Sequence, residues 1–68
     1  MNKQDVMVLL ANMLNKKLIF IETKCWNITL NPSNTVIIFD KETIELKSFY
    51  ADVALRYDSI QKIDIINN

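Results

Sequence analysis

The stretch "VALRYDSIQKIDIINN", Val53 to Asn68, decides how the chain is read. Val53, Leu55 and Tyr57 alternate as one face of a strand. Ile60 and Ile63 lie three apart, the spacing of a single helical or 3₁₀ turn, and Ile63 and Ile65 return to strand spacing. Between them, Asp58 and Ser59 are expected to accept hydrogen bonds from backbone N–H groups just ahead. A strand therefore ends, one tight turn plugs the sheet with Ile60, and a last short strand begins.

Upstream, "TIELK" alternates with Ile44 and Leu46 on one face and Glu45 on the other. "DKE" (Asp40–Glu42) turns the chain back from "TVIIF" (Thr35–Phe39), which is apolar on both faces and so is expected at the centre of a sheet. "NPSN" (Asn31–Asn34) is a turn whose Pro32 supplies a fixed φ. In "LIFIETKCWNITL", Ile19 and Ile21 alternate in one register, and Trp26, Ile28 and Leu30 in the other. A regular strand keeps its apolar face, so a bulge or turn is expected between Glu22 and Cys25. "SFYAD" (Ser48–Asp52) reads as a loop or bend.

The one helix candidate is "NKQDVMVLLANMLNKK", Asn2 to Lys17. Val6, Leu9, Leu10 and Met13 follow the i, i+3, i+4, i+7 pattern, and Met7 and Leu14 widen the stripe. Asn2 is placed to cap the start and Asp5 to meet the positive end of the helix dipole, with Lys16 and Lys17 at the negative end. Together these elements predict a single α+β domain over residues 1–68. It has an N-terminal helix packed on a strongly bent, small-barrel-like antiparallel sheet of four to five short strands.

A helix, about five short strands and a one-turn plug before the last, closing on "YDSIQKIDI", resembles the Sm-like (Hfq-like) family. That resemblance implies a strongly bent sheet and assembly into six- or seven-membered rings that bind RNA. Sm-like sequences normally place Gly in their bent strands, and this chain has none. Without Gly the backbone does not easily take positive φ at such bends. The hairpin "NTVIIFDKETIELKS" followed by "VALRYDSIQKIDI" is also similar to the bacterial pleckstrin-homology-like group, over about half the chain.

Composition narrows the function. The chain has 68 residues, half of them hydrophobic, and a domain of this size buries only about 60% of its unfolded surface. The usual supplements are disulfides, a metal or a partner chain. Cys25 is the only cysteine and there is no His, which excludes an internal disulfide and disfavours a nitrogen- or sulfur-ligated metal. Association remains. Eight basic residues balance eight acidic ones, unlike the strongly basic field of a nonspecific nucleic-acid binder. Catalytic Ser-His-Asp or Cys-His sets need His, and nucleophile elbows and phosphate-cradling loops need Gly. No enzyme activity, cofactor or small-molecule substrate is expected. The lone thiol and the lack of a signal-peptide pattern or a membrane-length apolar run point to the cytoplasm. The Asn-, Ile- and Lys-rich composition is of the kind found in phages and mobile elements.

Asp40 and Glu42 around Lys41 read as a polar hairpin tip, and Cys25 as a buried structural cysteine. Phe49 and Tyr50 have three uses open to them: cover for the sheet end or a subunit contact, a protein partner, or RNA stacking with Arg56, Lys24, Lys47 and Lys62 tracking phosphates. The expected interface draws on Met7, Leu10, Met13, Phe49, Tyr50, Arg56 and Ile66, since Met suits adaptable contacts and the edge strand Ile63–Ile66 can pair with a copy of itself. The leading expectation is a non-enzymatic interaction or assembly module that forms homo-oligomers or docks on a larger protein. The alternative is an Sm-like RNA-binding oligomer.

Overall fold

A computed structural model of the protein describes residues 1–16 and 18–66. Helix α1 runs from Lys3 to Ala11. Asn2 caps it: its side-chain oxygen accepts the Asp5 N–H at 2.8 Å. Nine residues are fewer than the ~12–15 that an isolated helix needs in water. Burial of Val6 and Leu10, both at 0% exposure, holds it in place. The apolar pattern continues toward Lys17, but the helix stops at Ala11 with Asn12 as its C-cap. Asn in that position favours local turns, and Met13 N–H bonds back to Leu10 O at 3.0 Å. Lys16 therefore stands beyond the last helical turn, and Lys17 lies outside the described residues.

Six strands follow: β1 (Leu18–Thr23), β2 (Asn27–Leu30), β3 (Thr35–Phe39), β4 (Thr43–Ser48), β5 (Asp52–Arg56) and β6 (Ile60–Ile66). They form two three-stranded antiparallel sheets, ordered β2-β1-β6 and β3-β4-β5. The α+β class stands, and the expected single sheet of four to five strands becomes two sheets of three. The added strand comes from the phase change before Trp26. Thr23 N–H bonds to Trp26 O at 2.9 Å, the Thr23 hydroxyl donates to the same carbonyl, and Trp26 N–H donates to Thr23 Oγ1 at 3.0 Å. These bonds close β1 against β2 and let each strand keep its own apolar phase.

The sheets are joined by a 3₁₀ turn, Pro32–Asn34, capped by Asn31, whose side chain accepts the Ser33 N–H at 2.9 Å. The Thr35 hydroxyl donates to Asn31 O at 2.8 Å and fixes the exit into β3. Among the described residues no φ is positive. This proline-led turn between β2 and β3 achieves the change of direction that a glycine bend would otherwise supply.

β3 was expected at the centre of a sheet and lies at an edge. Ile37 and Phe39 pack against the core from its rim, while Val36 on the other face stays 61% exposed. Two-sided apolarity here reflects an uncovered strand rather than a central one.

The core is one cluster: Val6 and Leu10 from the helix, Ile19, Ile21 and Leu30 from the first sheet, Ile44, Leu46 and Leu55 from the second, and Tyr57, Ile60 and Ile63 from the closing segment. Cross-strand pairs Ile21↔Ile63 and Ile44↔Leu55 lie directly opposite in register. A second 3₁₀ turn, Tyr57–Ser59, carries the chain from β5 back to β6, which pairs with β1. Its Tyr57 hydroxyl donates to Asp40 O at 2.8 Å, and the Met1 amine donates to Tyr57 O at 3.1 Å and Ile60 O at 2.8 Å. Asp58 does not cap this turn, which has no side-chain cap bond. Its carboxylate accepts both Nε and Nη2 of Arg56 at 3.2 Å, an ionic partner that outcompetes a neutral backbone N–H.

Candidate functional site

The turn between β4 and β5 is Ser48-Phe49-Tyr50-Ala51. Ser48 N–H bonds to Ala51 O at 2.9 Å. The Ser48 hydroxyl oxygen accepts Tyr50 N–H at 3.3 Å and Ala51 N–H at 3.2 Å. One small polar side chain thus braces the loop, and the two bulky residues at its tip stand in solvent. Phe49 is 94% and Tyr50 91% exposed, with ring centroids 5.7 Å apart at 78°. The expectation that Phe49 covers the open end of its own sheet is therefore corrected. Beside the tip, Ile28, Leu30, Leu46, Val53 and Tyr50 line an apolar hollow of about 290 Å³.

A second apolar surface lies between α1 and β3. Met7, Leu10, Ala11 and Leu14 form one wall, and Pro32, Thr35, Ile37 and Phe39 the other, around a groove of about 350 Å³. Of the helix residues expected at an interface, Met7 is exposed, Met13 is half-buried, and Leu10 is wholly buried in the core. Leu10 therefore lines the groove floor and is not available as a contact. Ile66 is half-buried at the end of β6, opposite Leu18.

Arg56 is exposed but engaged: besides Asp58 it approaches Glu42 Oε2 at 3.8 Å. The hydrogen bond from Arg56 holds the Asp58 carboxyl below the usual carboxylate value. Lys47 pairs with Glu45 and Lys62 with Asp64, each at 3.7 Å. Three of the expected basic residues, Arg56, Lys47 and Lys62, are thus each paired with a neighbouring acid. Arg56 ends β5 while the tip precedes it, and five residues of strand, about 17 Å, separate the two. Cys25 is exposed, contrary to the expected burial, because it sits in the polar turn between β1 and β2. Glu42 takes part in the Arg56 pair and Asp40 contributes its carbonyl to Tyr57, which accounts for both as turn residues. Among the described residues no group of three or more His, Cys, Asp or Glu gathers at metal-binding distance, and no helix is long and apolar enough to cross a membrane.

Val36 and Trp26 are further exposed apolar residues outside the expected interface set. Val36 escaped because a two-sided strand reads as buried. Trp26 was assigned to a regular inward phase, but it precedes β2.

Comparison with protein families, curated proteins and solved structures finds no match to this chain.

Proposed function

We propose that this protein is a non-enzymatic interaction module that self-associates or docks on a protein partner through its exposed apolar surface. The observation that carries this reading is the hydrogen-bonded turn presenting Phe49 and Tyr50 at more than nine-tenths exposure. Isolated surface apolar residues are ordinary, but an ordered aromatic pair has the composition and the low ordering cost of an interface anchor. Alternating charges on the strands (Glu45 with Lys47, Lys62 with Asp64) are largely self-neutralised, which favours apolar contact over electrostatic capture of a polyanion.

The Sm-like ring is the second reading. It is favoured by the connectivity: a leading helix, a run of short antiparallel strands, and a 3₁₀ turn before a last strand that returns to β1. A barrel-like bend across the two sheets belongs to this reading.

Absolute mass by light scattering, with nucleic-acid absorbance recorded on the same peak, tests both. The interaction reading expects either a mass above one chain or a stable complex with a protein, and the double substitution Phe49→Ser, Tyr50→Ser is expected to weaken the protein complex. Six or seven chains with RNA attached promote the ring instead. A monomer whose behaviour is unchanged by the double substitution removes the leading reading.

A further inference from the structure

The free edge of β3 lacks the devices that normally protect such an edge. Asp40 N–H bonds to Thr43 O at 3.0 Å. In the register Ile38↔Glu45 and Val36↔Lys47, antiparallel alternation assigns the next bonded pairs to Ile38 and Val36. The backbone groups of Thr35, Ile37 and Phe39 therefore point away from β4, and β3 pairs with no other strand among the described residues. Natural edges are usually guarded by Lys, Pro, bulges or shortness. Thr35–Phe39 has no charge, no proline and no bulge. The other edges differ. β5 carries Asp52 and Arg56, β6 carries Lys62 and Asp64, and β2 is only four residues long and exposes Asn27 and Thr29.

We infer that β3 pairs antiparallel with β3 of a second copy, closing a two-fold dimer. This inference rests on the interaction reading above and adds to it a self-association surface separate from the aromatic tip. With Ile37 opposite its own copy and Thr35 opposite Phe39, the outward groups make about six backbone hydrogen bonds. At one bond per ~100–200 Å², six bonds correspond to about 600–1,200 Å² of total interface, the low end for specific complexes. No charge on the strand meets its like across the axis. Residues directly opposite share a face, so the incoming Ile37 and Phe39 fall on the groove side, against Met7 and Leu14 of the first copy. The joined sheet runs β5-β4-β3-β3-β4-β5, with its two aromatic tips at opposite ends. Such a dimer engages a partner twice, gaining avidity without any new contact.

Sedimentation equilibrium across micromolar to millimolar protein, with amide exchange at Ile37 and Phe39 followed by NMR, tests this. Wild type is expected to pass from one chain to two, with those amides slowing at least tenfold as it does. Val36→Lys, an exposed position, is expected to stay monomeric with an unchanged fold by circular dichroism. Ile37→Pro removes the outward N–H itself and should likewise stay monomeric, at some cost in stability because Ile37 packs against the core. Phe49→Ser is expected to leave the dimer intact. A dimer whose Ile37 and Phe39 amides exchange freely, or one lost with Phe49→Ser and kept with Val36→Lys, overturns the β3 edge while leaving the interaction reading standing. A monomer at every concentration overturns the self-pairing. If tip substitutions then change no association either, the broader reading falls with it.

Discussion

Replacing Tyr57 by Phe removes one oxygen atom from the closure of the fold. That hydroxyl donates to Asp40 O at 2.8 Å and ties the second 3₁₀ turn to the β3–β4 turn, seventeen residues away in sequence. The ring itself is 4% exposed, so Phe fills the same space and leaves no cavity at its centre. The cost then depends on the stranded carbonyl. A buried carbonyl left alone costs about 1–3 kcal/mol, whereas the net value of an ordinary hydrogen bond is about 0.5–1.5 kcal/mol. Asp40 is exposed, so water replaces the lost donor and the lower range applies. The neighbouring bond from Tyr57 N–H to Glu42 O, at 3.2 Å, survives the change. A loss of about 1 kcal/mol is expected, which lowers the melting temperature of a domain this size by about 4–8 °C. The same burial, with the Asp40 charge behind it, raises the phenol above its ordinary value. A group whose folded pKa is raised contributes stability that is complete below the unfolded value and is lost as pH climbs through the folded one. Wild type should therefore weaken above pH ~10, and Tyr57→Phe should lack that limb. Denaturant titrations of both proteins from neutral to alkaline pH read both effects. The chain has two tyrosines, so a Tyr50→Phe background leaves Tyr57 as the only titrating phenol. Equal stability at neutral pH together with an identical alkaline limb would refute the buried, bonded tyrosine. A loss above ~3 kcal/mol would show the carbonyl stranded and the assumed water access wrong.

Leu10→Ala empties a fully buried site between the helix and both sheets, and calorimetry should record a loss of about 2–5 kcal/mol. Asn2→Ala deletes the helix cap and should cost about 0.5–2 kcal/mol by chemical denaturation. Phe49→Ser with Tyr50→Ser should change monomer stability by no more than ~0.5 kcal/mol while weakening docking on a protein partner and leaving the β3 pairing intact, since neither ring contributes to the core. Cys25 should react with a thiol reagent under native conditions as fast as in the unfolded chain, because the turn leaves it exposed. For Asp58→Asn the sign runs opposite to Tyr57. The carboxyl is held low by Arg56, so any advantage of wild type exists above the unfolded value and fades as pH falls through the folded one, leaving the two proteins equal in strong acid.

Local chemistry carried most of the element reading. The Asn2 cap, the phase change before Trp26, the proline turn and the Ile60 plug are set by residues within a few positions of each other, and each lies where its own side chains require. Quantities set by competing signals or by distant chain were less legible. The helix ended early at Asn12, whose turn preference competes with an apolar pattern that runs on past it. β3 looked central because periodicity reports how much apolar surface a strand carries and not whether anything covers it. Arg56 read as a free cation and Asp58 as a cap until their pairing spent both. Of the expected interface, Phe49 and Tyr50 emerged as a surface because a short loop between two good strands leaves bulky residues nowhere to go. Leu10 belonged to the stripe but to its buried centre.

The all-negative φ values bear on the unfolded chain as much as on the folded one. Glycine widens the range of shapes a denatured chain explores, and exchanging one for alanine where the native conformation allows it is worth about 0.4–1 kcal/mol. A chain with no glycine at all starts from a narrower denatured ensemble. Part of the restriction that cross-links impose on other domains of this size is here distributed along the main chain. The same geometry makes an alanine scan unusually clean. No described residue occupies a conformation closed to alanine, so each loss measured reports a side chain and its contacts, free of backbone strain.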